Sequence, residues 1–310
     1  MDLKLRIGVL GAGGVGGYFG GLLAGKYDTS ENIEVVLITR PATEKIIRED
    51  GLKIITPENQ KIIFPVNIFS DPGSVGQLDL LICSVKSYDL EESISLLKNN
   101  ISNRTIILPL LNGVDAKERI QKIYPDSQIL EGCVYIVSQQ IQPGVINITG
   151  NMHSLHFGSD TVNPEQLANF DTIFKAAGIE SHLSKEIQKI IWEKFIFVST
   201  LATLTSYLDL SIGEILENSE FKEILINLLN EIKSVAEAKN IRLSENIVEN
   251  TITNIQRLPY EATTSMHRDF RKKGKTELSS LTEYISKTGK TVNISTPFYD
   301  KILQSLQNLE

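Results

Sequence analysis

Two kinds of periodicity divide the chain. Up to about residue 183, short apolar runs alternate with stretches of helical spacing; beyond it, helical spacing prevails. The first apolar run, Leu5–Leu10, ends in glycines, and Gly14–Lys26 then has small and apolar residues at helical intervals. Glu34–Thr39 completes a β-α-β unit. Further strands are expected at Leu52–Thr56, Lys61–Phe64, Leu78–Ser84 and Thr105–Leu110, with helices at Asp89–Lys98 and Ala116–Ile123. The run Asp79–Val85 is apolar on both faces, as a central parallel strand should be. This alternation implies a parallel sheet covered on both sides.

From Ile129 to Gly158 three short runs (CVYIVSQQI, GVINIT and SLHFG) read as added strands, with Pro143–Gly144 as a turn. Pro164–Ala177 reads as a helix ended by Gly178. Ser184 is a candidate N-cap for a long helix reaching about Tyr207. Helices at Phe221–Lys239, Glu245–Arg257, Glu277–Gly289 and Pro297–Leu309 follow, the last with Thr296 as N-cap and Pro297 at its first position. The expected fold is therefore α/β: an N-terminal Rossmann-type dinucleotide-binding domain over 1–183, then an all-helical C-terminal domain over 184–310.

Composition narrows the function classes. A net charge of -7 argues against general attraction to nucleic acid or anionic membranes. No apolar run approaches the roughly 18–20 residues of a membrane span. The N-terminus runs directly into a strand, leaving no room for a signal peptide, so a cytoplasmic protein is expected. Cys83 and Cys133 sit in apolar strand-like runs and read as buried free thiols. The four histidines are scattered, with no HExxH or CxxC spacing, so no metal is expected.

The first β-α turn carries GxGxxG at Gly11, Gly13 and Gly16, after a strand and at the opening of a helix. Gly11 permits the tight turn, Gly13 lets the backbone approach a pyrophosphate, and Gly16 lets helix and sheet pack closely. With Ala12, Gly14 and Val15 these residues form a candidate phosphate cradle, to which the helix N-terminus adds free N–H groups. Sites for NAD usually end the second strand with a carboxylate that bonds the ribose. Here the strand ends Ile38-Thr39-Arg40-Pro41, and a guanidinium suits the extra 2′-phosphate of NADPH.

Two loops at carboxyl ends of strands carry polar side chains: Lys86, able to reach a cofactor or an anionic substrate, and Asn112, an amide donor and acceptor. Lys194 stands where a polar segment enters a buried one, since no further charge appears before Asp209. A partly desolvated lysine can donate a proton near neutral pH. Ser265 and Glu277 bracket a strongly basic stretch.

Taken in order, the glycine motif, Arg40, Val85-Lys86, Asn112-Gly113, Trp192-x-Lys194 and Ser265-Met266…Thr276-Glu277 resemble the signatures of the ketopantoate reductase (2-dehydropantoate 2-reductase) family. The resemblance implies NADPH as cofactor and a 2-keto acid as substrate, bound between the two domains. It implies Lys194 as the general acid and Glu277 as the carboxylate that orients the substrate hydroxyl. It further implies Ser265 as a contact to the substrate carboxylate, and Asn112 and Lys86 as groups near nicotinamide and substrate. The helical domain would be the place for self-association as a homodimer. One departure stands out. Some family members carry asparagines one and two turns after the lysine, where this chain has Val198 and Ala202. Two rival readings follow: a reductase of another branched or bulky 2-keto acid, and a non-catalytic NADP(H)-binding sensor.

Overall fold

β1 (Leu5–Leu10) shows how the sheet is built. Its alternate residues feed opposite faces: Ile7 and Val9 enter one buried cluster, Leu10 another. The same holds for β2 (Ile33–Ile38), where Val35 and Leu37 face one way and Val36 and Ile38 the other. A computed structural model describes residues 4–309, so Met1–Leu3, which the sequence reading runs into β1, lie outside the described residues. The chain divides into two compact units. One takes the chain up to Leu111 together with Ala116–Ile187; the other takes Asn112–Asp115 together with Gln188 onward.

In the first unit, α1 (Gly14–Tyr27), α2 (Pro41–Asp50), β3 (Leu52–Ile55), β4 (Gln60–Ile63), β5 (Asn67–Phe69) and β6 (Leu80–Cys83) follow β1 and β2. Next come α3 (Leu90–Ser95), β7 (Ile106–Pro109), α4 (Ala116–Ile123), β8 (Gln128–Ile129), β9 (Glu131–Gln142), β10 (Val145–Gly158), α5 (Pro164–Ala176) and β11 (Glu180–Leu183). Six strands make an all-parallel sheet in the order β5-β2-β1-β6-β7-β8. Counted within the sheet this is 3-2-1-4-5-6, the Rossmann order, with its switch point between β1 and β6.

The remaining strands depart from the simple alternation. β3 and β4 leave the main sheet and form a second, mixed sheet, β11-β10-β3-β4, with β9 antiparallel to β10. The runs GVINIT and SLHFG are one strand, β10, whose pairing with β9 shifts register between Thr149 and His153. α1 packs between the two sheets. A Cβ on Gly20 would meet Val9 and Leu37 of the main sheet, and one on Gly21 would meet Leu52 and Ile54 of the second. A helix covered on both sides is apolar all round, which is why its sequence shows small residues rather than a polar face.

The second unit is helical: α6 (Ile187–Leu208), α7 (Ile212–Glu217), α8 (Ser219–Ala238), α9 (Ile247–Gln256), α10 (Ser265–Arg271), α11 (Tyr284–Thr291) and α12 (Pro297–Gln307). Its core is a single cluster that includes Trp192, Phe195, Leu228, Ile285 and Tyr299. One local reading needs correction. The helix expected over Glu277–Gly289 is interrupted by a π-helical stretch at Ser279–Glu283. Ser184 Oγ accepts the N–H of Glu186 at 3.0 Å, the bond expected of an N-cap, in the turn that leads into α6. As expected, Thr296 is the N-cap residue of α12 with Pro297 in its first turn, though the threonine side chain does not cap the helix N–H groups. The buried Glu231 of α8 does so instead, accepting the N–H groups of Phe298 (2.9 Å) and Tyr299 (3.0 Å). No helix among the described residues is long and apolar enough to cross a membrane.

Candidate active site

At the switch point the glycine turn lies beside the end of β6. Gly11 has φ +99°, a conformation that side chains rarely adopt. Ser84, which follows the fully buried Cys83, fastens the turn. Its hydroxyl lies 3.0 Å from the Leu10 carbonyl and 3.1 Å from that of Gly11, and its N–H donates to Leu10 at 2.9 Å. A Cβ on Gly16 would fall 2.0 Å from the Gly11 oxygen and 2.1 Å from Ser84 Oγ, so only glycine fits. Gly13 differs: a Cβ there would meet nothing within 4 Å. Gly13 is also the N-cap residue of α1, and no side chain caps that helix. Open space over uncapped N–H groups is what a pyrophosphate requires, so the turn fits a dinucleotide. Ala12 is buried, and Gln140 Nε2 donates to its carbonyl at 3.3 Å. Gly14 abuts Ser138 of β9, and Val15 packs on the core.

Arg40 is the N-cap residue of α2, just past β2. Its side chain is 83% exposed, and Nη2 donates to Asp89 Oδ2 at 2.8 Å, so the guanidinium is anchored at one end and open to solvent. Lys86 leaves β6 at the switch point and opens a single 3-10 turn, Ser87–Asp89, ahead of α3. Asp89 belongs to that turn, so α3 starts one residue later than expected, and it ends at Ser95 rather than Lys98. Burial pushes the Cys83 thiol up to about 12, and both cysteines are buried and free.

The remaining candidates lie in the second unit. Asn112 belongs there although it directly follows the main-sheet segment, and its Oδ1 accepts from Lys194 Nζ at 3.3 Å. The structure thus joins two residues 82 positions apart. Gly113, at φ +97°, passes close to Ser280 in the π-helical stretch. Glu277 is 2% exposed, and Ser265 is the first residue of α10. Hydroxyls on α6 fasten both neighbourhoods. Ser199 Oγ donates to the Leu281 carbonyl at 2.7 Å, Thr203 Oγ1 lies 2.7 Å from Thr282 Oγ1, and Thr205 Oγ1 lies 2.9 Å from Thr264 Oγ1. None of these fasteners, nor Ser84, was singled out from sequence. The only local trace of Ser84 is a small polar residue ending an apolar run.

A Rossmann sheet with an open phosphate cradle, joined to a helical unit with an amide-bonded lysine, defines the class: an NAD(P)-dependent oxidoreductase. Residues 7–161 match the family model "Ketopantoate reductase PanE/ApbA", and residues 186–310 match "Ketopantoate reductase PanE/ApbA C terminal". The chain belongs to the ketopantoate reductase family. It is 27% identical to the "Uncharacterized oxidoreductase YkpB" of Bacillus subtilis (strain 168), over 97% of this chain and 98% of that one. It is 25% identical to the 2-dehydropantoate 2-reductase of Halobacterium salinarum, over 94% and 95% of the two chains. Among solved structures, 2-dehydropantoate 2-reductase from Porphyromonas gingivalis W83 superposes with a TM-score of 0.85 at 28% identity, covering 98% of this chain and 99% of that one.

Proposed function

We propose that this protein is an NADPH-dependent reductase of 2-keto acids, with 2-dehydropantoate, reduced to pantoate for pantothenate and coenzyme A synthesis, as the first candidate substrate. The observation that carries the reading is the half-buried ammonium of Lys194 held by Asn112. The bound cofactor supplies a hydride to the ketone carbon. Gly11, Ala12, Gly13, Gly14, Val15 and Gly16 would hold its pyrophosphate, Arg40 its 2′-phosphate, and Lys86 and Asn112 its nicotinamide end.

Negative charge then builds on the ketone oxygen and needs a positioned acid. Lys194 gives its proton to that oxygen. Asn112 Oδ1 accepts one of the three ammonium N–H bonds, which fixes where the Lys194 head group sits. Ser265 would bond the substrate carboxylate, and buried Glu277 would accept from a substrate hydroxyl.

One observation favours a second substrate. Val198 and Ala202 follow Lys194 by one and two turns on the same face of α6, and neither can hydrogen-bond a hydroxyl. A hydroxyl left unpaired beside them costs about 1–3 kcal/mol. A 2-keto acid with a purely apolar branched end is the alternative.

The test compares NADPH oxidation with 2-dehydropantoate and with 3,3-dimethyl-2-oxobutanoate, which lacks only the hydroxyl. A higher kcat/KM for 2-dehydropantoate supports the first reading, and the reverse selects the second. Lys194→Ala should lower kcat by about 100-fold or more while NADPH binding stays nearly intact. Binding of NADPH by the native protein with no turnover of any 2-keto acid would leave a coenzyme-binding sensor.

A further inference from the structure

α6 ends in a junction that the proposed reaction does not use. Asp209, the residue after α6, has φ +54°, and its Oδ1 receives two donors from α10: His267 Nε2 at 2.7 Å and Arg271 Nε at 2.7 Å. Hydrogen bonds from Arg271 and then His267 hold the Asp209 carboxyl down at about 2, so it is ionised wherever the enzyme would work. The His267 ring is 2% exposed, and its Nδ1 is buried with no hydrogen-bond partner. Asp209 is therefore the single hydrogen-bonding anchor of that ring among the described residues, and Nε2 must carry the proton that it donates.

A second fastener lies one turn earlier on α6. Thr205 Oγ1 donates to the Leu201 carbonyl at 2.7 Å, which uses its only hydrogen. The 2.9 Å contact with Thr264 is then donated by Thr264 Oγ1, which also accepts the N–H of His267 at 3.2 Å as the N-cap of α10. Ser265 lies between Thr264 and His267 in sequence. Both of its flanks are thus tied to the last turn of the helix that carries Lys194. From Lys194 to Thr205 α6 rises roughly 16 Å, a length that a straight helix keeps constant.

We propose that Asp209 is a positioning residue: by holding His267 and Arg271 it seats α10, and so Ser265, at a set station along α6 relative to Lys194. The inference rests on the reading of Ser265 as a substrate contact. A loosened Ser265 weakens substrate binding more than the chemical step, since its contact is made alike in ground and transition states.

The experiment uses full-length protein and the better of the two 2-keto acids above. Asp209→Ala should raise KM for the keto acid roughly tenfold, with kcat within about threefold and KM for NADPH unchanged. Asp209→Asn keeps an acceptor oxygen and tolerates the left-handed backbone, so it should return KM to within about twofold of native. A native keto-acid KM in Asp209→Ala overturns the proposal. So does a joint loss of kcat and of affinity for both substrates that Asp209→Asn fails to restore, which is the signature of general damage. If Asp209→Ala does not fold, His267→Gln and Arg271→Met are read by the same split, and an unchanged KM in both overturns the proposal. A native enzyme inert toward every 2-keto acid sinks the functional reading first, before any variant is compared, and the positioning role falls with it.

Discussion

A methyl group added to Gly13 meets no protein atom within 4 Å, whereas at Gly16 it would lie 2.0 Å from a backbone oxygen. The fold demands the second glycine, whereas the first is demanded only by the proposed cofactor. Gly13 has φ -77° and ψ -161°, at the edge of the extended region open to alanine rather than in glycine-only space. Gly13→Ala should keep stability within about 1 kcal/mol of native, because reduced freedom of the unfolded chain offsets a poorer N-cap. Its affinity for NADPH should fall at least ~10-fold, about 1.4 kcal/mol. Gly16→Ala should lose about 3 kcal/mol or more of stability, because a backbone atom blocks the space. Chemical denaturation and cofactor titration check both, and native-like NADPH affinity in Gly13→Ala would remove that residue from the cradle. At the same scale, Asp209 marks an acid-sensitive point. Its folded value of about 2 lies below the ordinary 3.8, so the unfolded chain binds the proton more readily. The stabilisation is fully present above about pH 4 and is lost as pH falls toward 2. With 64% of the side chain exposed, the effect is modest. The gap in urea midpoint between native protein and Asp209→Asn should therefore narrow as pH falls from 5 to 2. A constant gap would detach the carboxylate's charge from stability.

Elements were legible where their cause is local. β1, β2, α1 and the glycine turn follow from short-range spacing, and the order of strands is enough to put Arg40 and Lys86 at strand ends. α6 was legible as a buried helix because no charge interrupts it between Lys194 and Asp209. What α6 holds was not legible, since its hydroxyl partners stand about 80 positions away at Leu281 and Thr282. The π-helical stretch belongs to the same class. Nothing in Ser279–Glu283 departs from ordinary helical spacing, yet the Leu281 carbonyl is taken by Ser199, a partner that local pattern does not reveal. The second sheet escaped notice for a related reason. β3 and β4 look like members of the main alternation, and only pairing with β10, some 90 positions later, moves them elsewhere. Asn112 shows the limit for the candidate site. Its place at a strand end was readable, while its bond to Lys194 depends on the fold.

For the whole molecule, the preference between NADPH and NADH is an electrostatic question with a calorimetric answer. The chain carries 38 acidic against 31 basic side chains, so its overall field does not favour the more anionic cofactor. Any preference has to be made locally, and Arg40 is the candidate at the end of β2. Its guanidinium already meets the Asp89 carboxylate at 2.8 Å, so a 2′-phosphate would share or displace that partner. With the arginine 83% exposed, the preference should be moderate and should weaken as salt rises. Ligands that bind only the folded chain raise its stability as the logarithm of one plus the ratio of free ligand to Kd, by about 2.7 kcal/mol at one hundred times Kd. At equal concentration and low salt, NADPH should raise the unfolding temperature more than NADH does. Arg40→Ala should bring the two shifts together by lowering that of NADPH and leaving that of NADH in place. Because NADH serves as the internal control, general weakening of the cradle would lower both shifts and be told apart. Equal shifts in the native protein would take the 2′-phosphate away from Arg40 and leave NADH as an equally suitable hydride donor.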